Sequence, residues 1–177
     1  MSNVKNALYF ATKAHDGQVR KYTGAPYVTH PIRVAELVSE YFNNEDMYIA
    51  ALLHDVVEDT SHTTEDIESN FGGYISMLVS DLTDVSKLED GNRTVRKAID
   101  RQHTLKACFS AKNIKLCDLI DNCESIAEHD KGFAKIYLQE FKMLLDGLYG
   151  NTYMPLLNRA NTVYKIAISE LEYEHNT

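Results

Sequence analysis

Cysteine is scarce in this chain of 177 residues, with three in all, Cys108, Cys117 and Cys123. Their number is odd, and no two of them have CxxC spacing. A disulfide framework is therefore not expected, and a zinc ribbon is excluded because the ligands are too few. Cys117 and Cys123 lie in a stretch with helical spacing, where a small thiol is commonly buried. We interpret all three as structural.

Proline and glycine are also few, with three and eight residues. Apolar residues recur mostly at helical rather than alternating spacing. We predict an all-α fold, a single bundle of about eight to ten helices in one domain, 1–177, without strands. Residues 16–29 and 86–92 are predicted to be loops. The predicted helices cover 3–15, 31–42, 45 to at least 57, 64–71, 73–84, 92–108, 111–128, 132–148 and 153–173. In the first of them, the positions predicted to face inward are Leu8, Phe10, Ala11 and Ala14.

No apolar run approaches the roughly 18 residues needed to span a membrane. The first residues lack the basic-then-apolar pattern of a signal peptide, so we expect a cytoplasmic protein that does not bind membranes. The net charge of −8 disfavours nucleic acid as a partner, because binding its phosphates needs a basic face. A small phosphorylated substrate stays open, since a metal ion and a few local cations can reverse the potential inside one pocket.

The segment LLHDVVEDT, residues 52–60, brings four polar groups into an otherwise apolar stretch. A continuous helix would place His54 and Glu58 together on one face, and likewise Asp55 and Asp59. Leaving such groups buried and unpaired is costly, and a divalent cation would satisfy them. Taken alone, the pattern also fits a hydrogen-bonded core histidine followed by a solvated acidic helix end.

Two further positions favour the metal interpretation. His30 follows a polar loop and precedes Pro31, which suits the first turn of a helix. Asp118 lies among apolar residues in KNIKLCDLIDN, with Asn122 one turn later on the same face. A site of two imidazoles and two carboxylates suits Mn, Fe, Co or Zn better than Mg or Ca. The sequence therefore predicts one divalent cation held by His30, His54, Asp55 and Asp118.

Three ordered segments resemble the hydrolase domain of RelA/SpoT-type alarmone enzymes: AHDGQVRKYTGAPYVTHPIRVAELV, AALLHDVVEDT and IKLCDLIDN. The chain is most similar in length to the small stand-alone alarmone hydrolases, and the resemblance covers about residues 6–150. It implies an all-α HD fold, a Mn²⁺ cofactor and hydrolysis of the 3′-pyrophosphate of (p)ppGpp, a small phosphorylated nucleotide of the stringent response. It leaves the formation of homo-oligomers open.

The resemblance also implies roles for individual residues. Those matching the metal ligands are His30, His54, Asp55 and Asp118. Glu58 and Asp59 match the acidic pair that positions or activates the attacking water, and a carboxylate so placed can accept a proton. The residues matching the nucleotide site are Arg20, Lys21 and Asn122. Without the resemblance, the basic pair would be interpreted as solvated loop residues.

The chain departs from the family pattern directly after Asp118. Family members usually carry a basic residue next, and an aromatic residue or histidine before the asparagine, where this chain has Leu119 and Asp121. An acidic group there would repel a tetraphosphorylated guanosine if it faced the pocket. A second hypothesis is therefore an HD-type phosphatase acting on NADPH or a nucleoside monophosphate. A third, a non-catalytic nucleotide-binding module, predicts loss of ligands or of the acidic pair, yet all six residues are present.

Basic residues recur in 92–106, where Arg93, Lys97 and Arg101 share one helical stripe. This stripe is either a second phosphate-contacting surface over the pocket or an exposed, salt-bridged helix. The extension 150–177 has the apolar spacing of another amphipathic helix packed on the domain. That helix either completes the core or forms a dimer contact or a lid. Its predicted inward positions are Leu156, Leu157, Val163, Ile166, Ala167 and Leu171.

Overall fold

The computed structural model describes residues 3–175, with side chains to residue 173. In this range the protein has ten α-helices, one short 3-10 turn and no strand, apart from an isolated bridge between Val19 and Pro26. The all-α prediction is thereby confirmed. The helices are α1 Asn3–Ala14, α2 Thr29–Tyr41, α3 Glu45–Leu53, α4 Val56–Asp59, α5 Thr64–Phe71, α6 Gly73–Leu82, α7 Arg93–Lys106, α8 Phe109–His129, α9 Lys131–Leu148 and α10 Met154–His175, with the 3-10 turn at Leu88–Asp90.

Helices α3 and α8 form the centre of the bundle. The short α3 is apolar on nearly every side, as expected for a helix enclosed by others, and packs against α1, α2 and α6. The long α8 packs against α2, α9 and α10. Because α2 contacts both central helices, residues at its beginning can meet residues of α3 and α8.

The predicted continuous helix through LLHDVVEDT is interrupted. Helix α3 ends at Leu53, a turn contains His54 and Asp55, and α4 begins at Val56. The His54 ring donates from Nδ1 to the carbonyl of Ala51 at 2.8 Å, while Asp55 has φ −92° and ψ −6°, outside regular helix geometry. The interruption gives these two residues their own orientation, independent of the helical register that the sequence pattern assumed.

The loop between α1 and α2 is a tight hairpin rather than an open coil. Its backbone bonds join Arg20 N to the Ala25 carbonyl at 2.8 Å and Gly24 N to the Arg20 carbonyl at 3.0 Å. Gly24 has a φ of +69°, a conformation that glycine adopts without strain. This hairpin fixes Arg20 near the beginning of α2.

Two predicted inward positions are wrong. In α1 the buried stripe runs through Ala7 and Ala11, and Leu8 is 38% exposed. In α10 Leu157, Ala160 and Leu171 are buried, whereas Ile166 is 54% exposed. Each misplaced residue lies one position beside the buried stripe, a rotation of about 100° around a helix. The other predicted positions of α10 face the core, so this helix packs on the domain.

The three cysteines are free thiols, with Cys117 and Cys123 buried on α8. Burial raises the pKa of Cys123 to about 12, so this thiol stays protonated and unreactive near neutral pH. Their structural interpretation fits this environment. None of the helices within residues 3–175 has the length and apolarity to cross a bilayer.

Candidate metal centre

The four predicted ligands converge from three parts of the fold: the first turn of α2, the turn after α3 and the middle of α8. His30 Nε2 lies 3.2 Å from Asp118 Oδ1 and 3.5 Å from Asp55 Oδ2. His54 Nε2 lies 3.2 Å from Asp55 Oδ1 and 3.8 Å from Asp118 Oδ1. Single donor atoms of His30, His54 and Asp55 all fall within 4.8 Å of one another, as ligands of a shared ion would.

Both imidazoles present Nε2 to this centre because Nδ1 is occupied elsewhere. His54 Nδ1 donates to the Ala51 carbonyl, and His30 Nδ1 hydrogen-bonds Asp121 Oδ2 at 2.6 Å. Such bonds on the far nitrogen are the usual support of metal-binding histidines. His54 Nε2 is buried and has no hydrogen-bond partner among the described residues. An unpartnered nitrogen facing two carboxylates fits a divalent cation at this point.

The electrostatics of the centre also fit a cation. Burial lowers the pKa of His30, but Asp118 and Asp121 outweigh it and raise that pKa to about 9. Burial likewise opposes protonation of His54, yet Asp55 and Asp118 raise its pKa as well. The carboxylates therefore stabilise positive charge among themselves, which a divalent ion would supply in place of protons.

The carboxylates of the centre are held as firmly as the imidazoles. Burial alone would raise the pKa of Asp118, but Lys115 and the two histidines hold it well below its usual value. Lys115 Nζ lies 2.8 Å from Asp118 Oδ2, and the Asn122 amide donates to Asp118 Oδ1 at 2.6 Å. The Tyr27 hydroxyl donates to Asp55 Oδ2 at 2.8 Å. Asp118 and Asp55 are thus ionised or aligned by neighbours that motif analysis did not single out, Lys115 and Tyr27.

A cleft of about 250 Å³ opens directly onto this centre. Its floor contains Asp55, Asp118 and both members of the predicted acidic pair. Helices α7, α8 and α9 form the walls. The wall residues include Arg93, Lys97, Arg101, Leu119, Asn122, Tyr137 and Glu140.

The two carboxylates predicted to handle protons both line this cleft. Glu58 is exposed to the cleft, and partial desolvation there together with the nearby Asp84 raises its pKa to about 7. Its Oε2 accepts the backbone N–H of Asp84 at 3.0 Å, which fixes the side chain. Burial and the charge of Asp55 also raise the pKa of Asp59. A carboxyl group with a pKa near neutrality suits a general base.

The predicted nucleotide-binding residues separate in the structure. Asn122 lines the cleft and accepts a hydrogen bond from Arg20 Nη2 at 3.0 Å on its side-chain oxygen. Arg20 therefore contacts a cleft residue, Asn122, but does not itself line the cleft. Lys21 is 72% exposed and pairs with Asp130 at 3.0 Å, at the junction of α8 and α9. The structure does not bring Lys21 to the cleft.

The two departures from the family pattern face different directions. Leu119, which replaces the usual basic residue, lines the cleft with only 8% of its surface exposed. Asp121 is buried, with 9% of its surface exposed, and bonds His30 and Arg33 behind the centre. The condition for repelling a phosphorylated substrate, an Asp121 facing the pocket, is not met. Arg33 was not identified from the sequence, although its spacing of three from His30 places both on one face of α2.

The basic stripe of α7 faces the cleft and is in part salt-bridged, so its contact with phosphate stays a prediction. Its residues line the cleft, and two of them are also salt-bridged. Arg93 makes two hydrogen bonds to Glu140, at 2.9 and 2.7 Å, and Lys97 lies 2.5 Å from Asp84. Arg101 instead donates to the sulfur of Met143 at 3.4 Å. It is the cleft-lining arginine for which no carboxylate partner occurs among the described side chains.

Comparison with known proteins assigns the sequence to a family. The model of the HD domain covers residues 7–144. This chain belongs to the HD domain family. The resemblance to RelA/SpoT-type hydrolases is confirmed, since relatives named for that activity align with it. A solved structure, described as a metazoan ortholog of SpoT that hydrolyzes ppGpp, superposes on this HD domain with a TM-score of 0.84 and 29% identity, covering 93% of this chain and 95% of the other.

Two curated relatives illustrate the range of lengths. The guanosine-3′,5′-bis(diphosphate) 3′-pyrophosphohydrolase of Drosophila melanogaster is 38% identical over 122 residues, which are 67% of this chain and 66% of the relative. The bifunctional (p)ppGpp synthase/hydrolase SpoT of Escherichia coli is 32% identical over 126 residues, or 71% of this chain. The aligned part of this chain spans only 18% of the length of the Escherichia coli protein.

Proposed function

We propose that this chain is a Mn²⁺-dependent phosphohydrolase that removes pyrophosphate from the 3′ position of a guanosine or adenosine alarmone. The observation that carries the proposal is the buried, unpartnered Nε2 of His54, which faces Asp55 and Asp118 beside His30, next to a cleft of about 250 Å³. Relatives named as 3′-pyrophosphohydrolases supply the substrate class.

The residues that would hold the cation are His30, His54, Asp55 and Asp118. When bound, such a cation acidifies water and offsets phosphate charge. The mixed nitrogen and oxygen donor set suits Mn, Fe, Co or Zn, and the resemblance to alarmone hydrolases favours Mn²⁺ among them. The chain itself keeps these donors in place, since each has a second contact: Asp121, Ala51, Tyr27 and Lys115 respectively.

Glu58 is the proposed general base. It lines the cleft beside the centre, and its pKa of about 7 leaves a large fraction ionised at neutral pH. The ionised form accepts the proton of the attacking water, and a group with a pKa near the working pH does so most efficiently. Asp59 shares this floor and, being close to Asp55 and Tyr27, would orient the water.

The cationic wall of the cleft is the proposed binding surface for the phosphates. Arg101 carries a guanidinium without a carboxylate partner in the described range, so it can bind a phosphate without first breaking an ion pair. Arg93 and Lys97 would exchange their carboxylate partners for phosphate oxygens. Arg20 and Lys21 remain predicted nucleotide-binding residues, the first acting through Asn122.

One observation favours a second substrate class. Leu119 puts an apolar side chain on the cleft surface where the family pattern has a cation. A cleft with one cation fewer holds a less highly charged phosphate ester well, because fewer charges need compensation. The second candidate is therefore a phosphatase of the same fold acting on NADPH or a nucleoside monophosphate.

Product analysis separates these candidates. The purified protein is incubated with Mn²⁺ and, in turn, with ppGpp, ppApp, NADPH and nucleoside monophosphates. Release of pyrophosphate from ppGpp or ppApp is the expected result. Orthophosphate release from NADPH or a monophosphate, with the alarmones left intact, would establish the second candidate. A Glu58→Gln preparation made in parallel controls for contaminating phosphatases, since it carries the same contaminants without the proposed base.

A further inference from the structure

Behind the metal centre lies a partly buried ion pair, Arg33–Asp121, whose arginine has no role in the chemistry proposed above. The Arg33 guanidinium clasps both oxygens of Asp121, with Nε 2.5 Å from Oδ1 and Nη2 2.9 Å from Oδ2. The same Oδ2 accepts the hydrogen bond from His30 Nδ1 at 2.6 Å. One carboxylate therefore joins an arginine of α2 to an imidazole one turn earlier on the same helix.

The charge of Asp121 is maintained by these two contacts. The Arg33 guanidinium is always charged and contacts both carboxylate oxygens, a two-point geometry that fits the ionised form of Asp121. An ionised carboxylate can only accept hydrogen bonds, so it requires a proton on His30 Nδ1. With Nδ1 protonated, Nε2 is the atom left to bind a cation, and it is the atom that faces Asp118 and Asp55.

The position of this pair explains how the chain tolerates an acidic residue in a phosphate-processing site. Asp121 follows Asp118 by three residues, yet its side chain is turned to α2 and the cleft is lined by its neighbour Asn122. Arg33 stays 45% exposed at the outer end, so its guanidinium keeps contact with water while neutralising the carboxylate. The second nearby cation, Arg20, lies 4.0 Å from Asp121 Oδ2.

We propose that Asp121, clamped by Arg33, is a positioning residue that fixes the ring of His30 with Nε2 toward the cation. The inference rests on the proposed function, because it assigns the pair to the support of that same metal site. Asp121 touches neither substrate nor cation and acts through His30. Loss of such an outer carboxylate typically weakens metal affinity about 10–100-fold.

The test measures Mn²⁺ affinity directly, by calorimetric titration of the metal-free protein. Asp121→Asn keeps the size of the side chain and removes its charge, and we expect its dissociation constant for Mn²⁺ to rise about 10–100-fold. Arg33→Gln should weaken binding less, since Asp121 remains. The double variant should bind Mn²⁺ about as weakly as Asp121→Asn alone, because contacts that act through one group are not additive.

A matched control removes another ion pair from the same helix. Arg159→Gln breaks the contact of α10 with Glu40 and Tyr41 near the other end of α2. It should leave Mn²⁺ affinity unchanged and lower thermal stability only slightly, because both partners of this pair are partly exposed. Activity gives a second readout: in Asp121→Asn, excess Mn²⁺ should restore kcat, with KM for the nucleotide unaltered.

The outcomes are distinguishable. Wild-type affinity in folded Asp121→Asn would overturn the positioning role and leave the proposed function intact. If Asp121→Asn does not fold, Arg33→Gln is measured in its place. A Mn²⁺ affinity of Arg33→Gln equal to that of the wild type and of Arg159→Gln would then overturn the positioning role of Asp121. A wild-type chain that binds no Mn²⁺ overturns the proposed function itself.

Discussion

The floor and the α7 wall of the cleft are built in opposite ways. On the floor, each of His30, His54, Asp55 and Asp118 has a fixed partner behind it, and both imidazoles are at most 2% exposed. On the wall, Arg93 and Lys97 are partly exposed and held by carboxylates that a phosphate could replace. The floor is preorganised, whereas Arg93 and Lys97 on the wall would have to exchange their ion pairs to take the proposed role in phosphate binding.

This difference predicts where substitutions are tolerated. A buried donor that loses its partner has no water to replace it, so changes on the floor are costly. Ion pairs at partly exposed positions contribute about 0–1 kcal/mol, so changes on the wall mainly alter substrate binding. The following substitutions test that contrast, from the floor outward.

The largest effect is expected for Asp118→Asn. This change removes a ligand charge and the partner of Lys115 while nearly keeping the volume. Metal binding and turnover should be lost together. The loss should exceed the factor of about 10–100 that is typical when a residue supporting a metal ligand is removed. Metal content and kcat are measured on the same preparation. Glu128→Gln, on the exposed side of the same helix, is the control, and equal losses in both variants would contradict the assignment.

Glu58→Gln should leave cation binding unchanged and slow the reaction. The side chain keeps its shape and lines the same cleft, but it can no longer accept a proton. We expect kcat to fall about a hundredfold or more, the usual scale of general acid–base catalysis, with Mn²⁺ affinity near that of the wild type. An unchanged kcat would show that another group takes the proton.

The pH dependence of the rate follows from the same residue. Partial desolvation and the charge of Asp84 raise the pKa of Glu58 to about 7, so the base is ionised above that pH and protonated below it. The wild-type rate should therefore be full above about pH 7 and fall about tenfold per unit below it. Residual activity of Glu58→Gln should lack this step across the neutral range. A wild-type profile without the step would argue against this base.

Arg101→Gln is expected to have the smallest effect, on the wall. A charge-assisted hydrogen bond contributes about 1.5 kcal/mol, so KM should rise about tenfold. Because the contact is proposed for both ground and transition states, kcat should change little. Lys106→Gln, on the exposed end of the same helix, serves as the matched control. A fall in kcat at constant KM would place Arg101 in the chemistry and weaken the contrast between wall and floor.

The sequence predicted the helices and the convergence of four distant residues. Apolar periodicity is strong in α9, which buries a single face, and the ordered motifs pointed to His30, His54, Asp55 and Asp118. The prediction of one continuous helix failed after Leu53, where a side-chain hydrogen bond accompanies a break in the regular helix. The turn at His54 and Asp55 depends on the ring bonding the Ala51 carbonyl, a contact that helical spacing does not reveal.

The supporting residues were the harder part to predict. Asp121 was recognisable as a departure from the family pattern, but its direction depends on Arg33, whose pairing joins positions 88 apart in the chain. Tyr27 lies in a loop without periodicity, so nothing in the pattern pointed to Asp55. Lys115 could have been found by its spacing of three from Asp118, since residues at that spacing share a helix face.

The most direct test of the metal centre is a titration of Mn²⁺ into metal-free wild-type protein and into His54→Gln. The substitution removes the unpartnered Nε2 that faces Asp55 and Asp118. The wild type should bind one ion per chain, and His54→Gln should show no such site while remaining folded. Binding of equal stoichiometry and affinity in both proteins would contradict the assignment of this cluster as the metal centre.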